Sequence, residues 1–367
     1  MTEHGLVTAP HAGAVPPFRY HALPMRVRFG AGALDALPEE IADLGLQRAL
    51  VVSTPGQRHL AELVLDRLGT RVAGIFDKAR MHVPVAIADE ARDAARDAGA
   101  DSCVVIGGGS SVGLGKAIAL EHGLPIVAIP TTYAGSEMTP VWGLTRDGRK
   151  QTGKDPRVLP TSVLYDPALT TGLPVDISAA SGLNAVAHAA EALYAPDTSP
   201  IIELMAEEGV RAFTGALPRI LADTADLDAR GSALYGAWLC GSCLGATTMS
   251  LHHKLCHVLG GTLDLPHAQT HAIMLPYTVG YNESYAPAAR AALQRALGTD
   301  AQPSAALWGL GNALPIPHSL RELGVTDADL TTVVEQALAD PYANPRPLTQ
   351  DGITALLQAA LSGAAPA

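Results

Sequence analysis

Three pairs of polar side chains stand four residues apart in the second half of this chain: Asn184 with His188, His253 with His257, and His267 with His271. On an α-helix that step puts both side chains on one face, a turn apart, and Glu191 extends the first stripe. Five of the 13 histidines, His252, His253, His257, His267 and His271, fall in the single stretch HHKLCHVLGGTLDLPHAQTHA. Imidazoles gathered this way can hold a cation, stabilise an anion or pass a proton near neutral pH. A second chemical feature lies upstream, where the apolar run Ser102–Ile106 leads into Gly107-Gly108-Gly109-Ser110-Ser111. Glycines let a ligand approach the backbone there, and the amides opening the next helix favour a phosphate. One strand later, Ile129-Pro130-Thr131-Thr132-Tyr133-Ala134-Gly135-Ser136 gives a second polar loop at the same edge. Two loops at one edge fit an extended ligand, so Gly108, Gly109, Ser110, Thr131 and Thr132 are cofactor-binding candidates. The spacing is not the G-x-G-x-x-G fingerprint, and the Rossmann mode of binding is not implied.

The elements that must carry these residues follow from periodicity. Ala49–Ser53, Val72–Phe76, Ser102–Ile106, Ile126–Ile129 and Val163–Tyr165 read as buried strands, with amphipathic helices such as His59–Leu68 and Ala86–Ala98 between them. That alternation predicts a mostly parallel sheet. Asp147-Gly148, between Val141–Thr145 and Lys150, predicts a two-residue hairpin. After Asp166-Pro167 the Ala- and Leu-rich patterns predict helices only, as far as Leu361, with Pro266 opening the one that holds His267. At 367 residues the chain exceeds the roughly 250–300 at which single cores stop growing. The expected division is a mobile leader over 1–16, an α/β dinucleotide-binding domain over 17–173 and an all-α catalytic domain over 174–367.

A net charge of −11 argues against nucleic-acid or anionic-membrane partners, both of which need a basic face. No apolar run reaches the roughly 18–20 residues that span a bilayer, and the first residues lack the pattern of a secretory signal. Four cysteines are too few and too irregular for a disulfide framework, so a reducing, cytoplasmic setting is expected. Cys240 and Cys243 lie in an apolar helical stretch and are expected to pack rather than to react.

In order along the chain, GGGSSVGLGKA, IPTTYAGSE, SGLNAVAHAAEA and HHKLCHVLGGTLDLPHAQTHA resemble the segments of the iron-type (group III) alcohol dehydrogenases. The architecture is also that of dehydroquinate-synthase-like enzymes. The resemblance implies an active site in the cleft between a dinucleotide-binding domain and a helical domain, usually in a homodimer. In metal-dependent members an aspartate and three histidines hold the ion, and the corresponding positions here are Asn184, His188, His253 and His267. A carboxamide oxygen is neutral and a weaker ligand for such a cation. Gly113 stands where those enzymes commonly carry a further aspartate. Both departures, with TTYAGSEMTPVWGLT and DGRKQTGKDPRVLP, resemble the maleylacetate reductase branch of that family. Its members reduce a carbon–carbon double bond conjugated with a ketone, in the breakdown of aromatic compounds, and are not generally regarded as metal-dependent.

That resemblance implies NADH or NADPH as cofactor, no metal, and a small dicarboxylate substrate. The expected catalytic residues are His253 and His257, near the nicotinamide, stabilising an enolate and supplying a proton. Asn184, His188 and His267 are expected to shape the pocket and bind carboxylate, with Lys254 as a basic anchor. By family position Lys150 lies near the cofactor ribose. The segment Ser53-Thr54-Pro55-Gly56-Gln57-Arg58 ends its strand without an acid, so both cofactors are expected, Arg58 meeting a 2′-phosphate. The alternative is a metal-dependent NAD(P) alcohol dehydrogenase.

Overall fold

Among the described residues there are eight strands, most of them rich in β-branched residues. They are β1 (Arg26–Phe29), β2 (Ala49–Val52), β3 (Val72–Phe76), β4 (Ser102–Gly107), β5 (Ile126–Pro130), β6 (Val141–Arg146), β7 (Arg149–Lys154) and β8 (Ser162–Tyr165). The computed structural model describes residues 18–20, 22–23, 25–146, 149–340 and 342–366, without the side chains of Arg149 and Lys150. The expected leader and the Asp147-Gly148 turn therefore lie outside the described residues. Six strands make one parallel sheet in the order β1-β8-β5-β4-β2-β3, as the alternation predicts. Its inner strands β2, β4, β5 and β8 are buried throughout, because crossover helices cover both faces of a parallel sheet. Those helices include α1 (Leu37–Asp43), α2 (Arg58–Leu68), α3 (Val85–Asp97) and α4 (Gly109–His122). Strand β1 was not among the expected strands. Its RVRF segment is only half-buried, and its register is set by β8, a partner distant in sequence. Strands β6 and β7 pair antiparallel, with Arg146 opposite Arg149, the geometry a two-residue turn requires.

Beyond Tyr165 the described residues contain helices and no strand. These are α5 (Val175–Ala192), α6 (Pro200–Ala222), α7 (Leu227–Ala246), α8 (Leu251–Leu263), α9 (His267–Asn282), α10 (Pro287–Leu297), α11 (Pro303–Asn312), α12 (Asp327–Leu338) and α13 (Gln350–Ser362). Helix α5 runs through the interior, buried almost continuously from Ser178 to its end. Small residues permit this: a Cβ at Gly182 would stand 3.0 Å from Leu217 and 3.1 Å from Phe213 of α6. The main apolar cluster extends from the sheet face (Leu50, Val105) through α5 (Leu183, Val186) to α6 and α7 (Phe213, Ala237). A second cluster joins α8, α9, α12 and α13 through Leu255, Met274, Val333 and Leu357. Cys240 and Cys243 are buried and unpaired in α7, and burial pushes the Cys243 thiol up to about 12. They pack, as expected.

Candidate active site

The glycine-rich segment forms the turn from β4 into α4. Gly107 has φ +138°, a value that side chains rarely adopt, and a Cβ there would lie 2.5 Å from Ser111 Oγ. Gly108 is the N-cap of α4, and no side chain caps that helix start. A Cβ on Gly108 would meet Thr132 Cγ2 at 2.8 Å, so glycine is what lets the two polar loops lie against each other. Thr131 Oγ1 accepts from Gln57 Nε2 at 3.0 Å. Beneath the loops, the buried Lys116 of α4 donates to Ser136 O, Thr139 O, Thr139 Oγ1 and Val141 O at 2.6–2.9 Å. Burial lowers its ammonium to about 7. Uncapped amides at the start of a 14-residue helix, with the dipole behind them, suit the phosphates of a dinucleotide.

Three helices bring the polar stripes together. Helix α5 supplies Asn184, His188 and Glu191, α8 supplies His252, His253 and His257, and α9 supplies His267 and His271. The chain turns from α8 to α9 through Asp264, left-handed at φ 54°, and Pro266, which occupies the N-cap of α9. The hairpin stacks His257 on His267 with centroids 6.3 Å apart and sets His271 at 4.2 Å from His267, 5.0 Å from His253 and 4.8 Å from His252. His188 and His253 are 5.0 Å apart. His188, His252, His253 and His271 are each at most 5 % exposed, whereas His267 is half-buried and His257 exposed. The six rings thus form a dry inner layer with two members at its outer side.

Glu191 organises the inner layer. It is 1 % exposed and accepts from the backbone amides of Ser250, His252 and His253 at 3.0, 2.7 and 3.4 Å, and from His253 Nδ1 at 2.6 Å. Burial alone would raise its carboxyl. The His253 hydrogen bond, the His253 and His252 rings and the Ser250 amide reverse this and hold it at about 2. A carboxylate at the start of α8 also meets the positive end of that helix. His253 Nε2 and His188 Nδ1 are 2.9 Å apart, and His188 Nε2 is 3.3 Å from Asn184 Nδ2. With neutral rings, Glu191 accepts from His253, His253 from His188, and His188 from Asn184, while Ala134 O lies 3.4 Å from the same His188 Nε2. Burial lowers His188 well below the ordinary imidazole value, reinforced by the neighbouring His253 and His267. In the same way burial, then His253, brings His252 down to about 3.

The expected site residues Asn184, His188, His253, His257 and His267 do meet in this cluster. Both nitrogens of His253, an expected catalytic residue, lie within hydrogen-bond distance of protein groups, Glu191 and His188. Lys254 is not aimed into the cluster. It follows His253 by 100° around α8, and its Nζ lies 3.6 Å from Asp340 and over the Tyr342 ring. Arg58 is engaged too, donating to Asp77 at 2.9 Å, an acid just past β3 that a reading of the β2 end alone passes over. Lys150 lies on β7, and its side chain is outside the described residues.

The residues at the family's metal position do not fit a cation well. His188 and His253 turn nitrogens on each other, and Asn184 contributes no charge and faces His188 with Nδ2, although its buried Oδ1 has no hydrogen-bond partner among the described residues. A different group, His252, Cys256 and His271, brings its donor atoms within 4.8 Å of one another in the buried layer. Glu191 lay on the noted stripe, but its partners come from another helix, and its signal was one acid among the alanines of α5.

Residues 24–167 match the iron-containing alcohol dehydrogenase family, and residues 178–361 match the C-terminal part of the Fe-containing alcohol dehydrogenase family. The chain belongs to the iron-containing alcohol dehydrogenase family. It is 54% identical over 349 residues to a maleylacetate reductase of Burkholderia cepacia, covering 95% of this chain and 99% of that one. It is 53% identical, with a TM-score of 0.92, to the crystal structure of a maleylacetate reductase from Agrobacterium tumefaciens, covering 96% of this chain and 100% of that one. A 1,3-propanediol oxidoreductase is 28% identical at a TM-score of 0.87, covering 94% and 100%. These matches make this member of the family an oxidoreductase with the expected fold. They do not support the expectation that no metal is involved, since the family is named for iron. Among the described residues no helix is long and apolar enough to cross a membrane.

Proposed function

We infer that this enzyme uses NADH or NADPH to reduce the carbon–carbon double bond of maleylacetate, and of substituted maleylacetates, to 3-oxoadipate. The observation that carries this reading is the hydrogen-bonded line from Asn184 through His188 and His253 to Glu191, with an uncharged carboxamide at a position where the metal-dependent enzymes it resembles carry a carboxylate. Identity above 50% to maleylacetate reductases over nearly the whole chain supports the substrate. A nicotinamide cofactor supplies the hydride, its phosphates held by Gly108, Gly109, Ser110, Thr131 and Thr132, with Lys150 toward the ribose. Arg58 and Asp77 stand together beyond β2 and β3, a cation for a 2′-phosphate and a carboxylate for a 2′-hydroxyl, which supports acceptance of both cofactors.

Hydride added to the carbon β to the ketone leaves negative charge on the ketone oxygen. Donors positioned there stabilise the enolate without a Lewis acid. His257 and His267, the rings that reach the outer side of the cluster, take that role. His257, exposed and able to exchange protons with solvent, delivers the proton to the carbon α to the ketone. His253, His188 and Asn184 hold the pocket's shape. A metal-dependent alcohol dehydrogenase is the second reading, favoured by the family's name and by the His252, Cys256 and His271 group. The deciding assay follows NADH absorbance with maleylacetate, and NAD reduction with simple alcohols, each with and without chelator. The inference expects chelator-insensitive loss of absorbance with maleylacetate. Turnover of alcohols alone, or a chelator-sensitive rate restored by a divalent cation, would refute it.

A further inference from the structure

Behind the rings assigned to the reaction runs a second line that the proposed function does not use. Thr278 Oγ1 donates its one hydrogen toward Met274 O and Leu275 O, both at 3.1 Å. In that orientation it accepts from His252 Nδ1, 2.9 Å away. That places the His252 proton on Nδ1 and leaves Nε2 bare. Two donors converge on Nε2: His271 Nδ1 at 3.0 Å and the Cys256 thiol at 3.7 Å. Burial raises that thiol well above its ordinary value, so it keeps its hydrogen. The His271 proton is thus on Nδ1. Nε2, on the other edge of that ring, is buried with no hydrogen-bond partner among the described residues, in a ring whose neighbours besides His252 are His267, His253 and, at 6.1 Å, His188.

We propose that Thr278 is a positioning residue for the reaction: through His252 it fixes the tautomer of His271, so that a bare nitrogen and not an N–H lies beside the working histidines. The proposal rests on the reading of His257 and His267 as the working donors. A bare nitrogen and an N–H have dipoles of opposite sign, and in a dry layer that difference acts on the neighbouring rings more strongly than it would in water. The same line explains why His252, Cys256 and His271 stand close without needing an ion.

Thr278→Val keeps the shape and removes the acceptor, while Thr278→Ser restores the hydroxyl. Without an acceptor at Nδ1, His252 moves its proton to Nε2, His271 Nδ1 becomes bare, and His271 Nε2 gains the hydrogen. The expected result is that the ¹⁵N resonance of His271 Nε2 changes from that of a bare ring nitrogen to that of an N–H in T278V and not in T278S. Alongside it, kcat for maleylacetate falls about ten-fold or more in T278V, with KM changed less and T278S near wild type. An unmoved resonance, or a moved one with kcat within about two-fold of wild type, overturns the proposal. So does a bound metal in the purified protein that Cys256→Ser releases. If the wild-type enzyme fails to reduce maleylacetate, the functional reading fails instead, and the resonance alone then decides the tautomer.

Discussion

Replacing Glu191 by Gln tests the centre of the site, because one carboxylate here holds both a helix start and a catalytic-layer imidazole. Its two oxygens receive three backbone amides and His253 Nδ1. A glutamine keeps one oxygen and turns an NH₂ toward hydrogens that have no other acceptor. The carboxyl is depressed from 4.5 to about 2 in the folded protein, and at about 1.36 kcal/mol per unit this bounds its contribution to stability at roughly 3 kcal/mol. Because the folded value lies below the unfolded one, that contribution is complete above pH 4.5 and is lost as the pH falls toward 2. At neutral pH E191Q should therefore unfold at lower urea, by an amount equivalent to about 1–3 kcal/mol for the stranded donors. His253, no longer held through Nδ1, should also release His188, and kcat should fall about ten-fold or more. Urea titration at pH 7 and steady-state kinetics on the same preparation measure both. A variant with unchanged midpoint and unchanged kcat would refute the role given to Glu191.

Asn184→Asp should give the protein a divalent cation that survives dialysis, since it adds the anionic oxygen and removes the NH₂ that now faces His188. Elemental analysis reads this, and a metal content equal to wild type would count against Asn184 as the determinant. Acid should destabilise the enzyme well above the carboxylate range. His188, His252 and His271 titrate below 6.5 when folded, so below pH 6.5 the unfolded chain binds more protons. Each then removes up to about 1.36 kcal/mol per pH unit, a loss that for His252 continues down to about pH 3. Urea midpoints at pH 7.5, 6.5 and about 5 check this, and a flat profile would contradict neutral, buried rings.

Local pattern was enough for much of this protein. Buried parallel strands are continuous apolar runs, so β2, β3, β4, β5 and β8 could be read directly. Four-residue spacing alone placed Asn184 with His188, His253 with His257 and His267 with His271 on common helix faces. The glycines before α4 and the missing aspartate at 184 were likewise visible as residue types. Spacing could not orient one helix against another. Whether Lys254 or His253 faces the cluster differs by 100° of rotation about α8, and only packing against α5 and the 340s loop resolves it. Nor could spacing show that Glu191 caps α8, that Thr278 backs His252, or which nitrogens are already occupied. Hydrogen bonds between residues 59 to 65 positions apart are set by how three helices meet. The histidines were therefore legible from sequence as a group, while which rings are buried beside Glu191 and which stand at the outer side was set by the tertiary structure, because burial depends on how three helices distant in sequence meet.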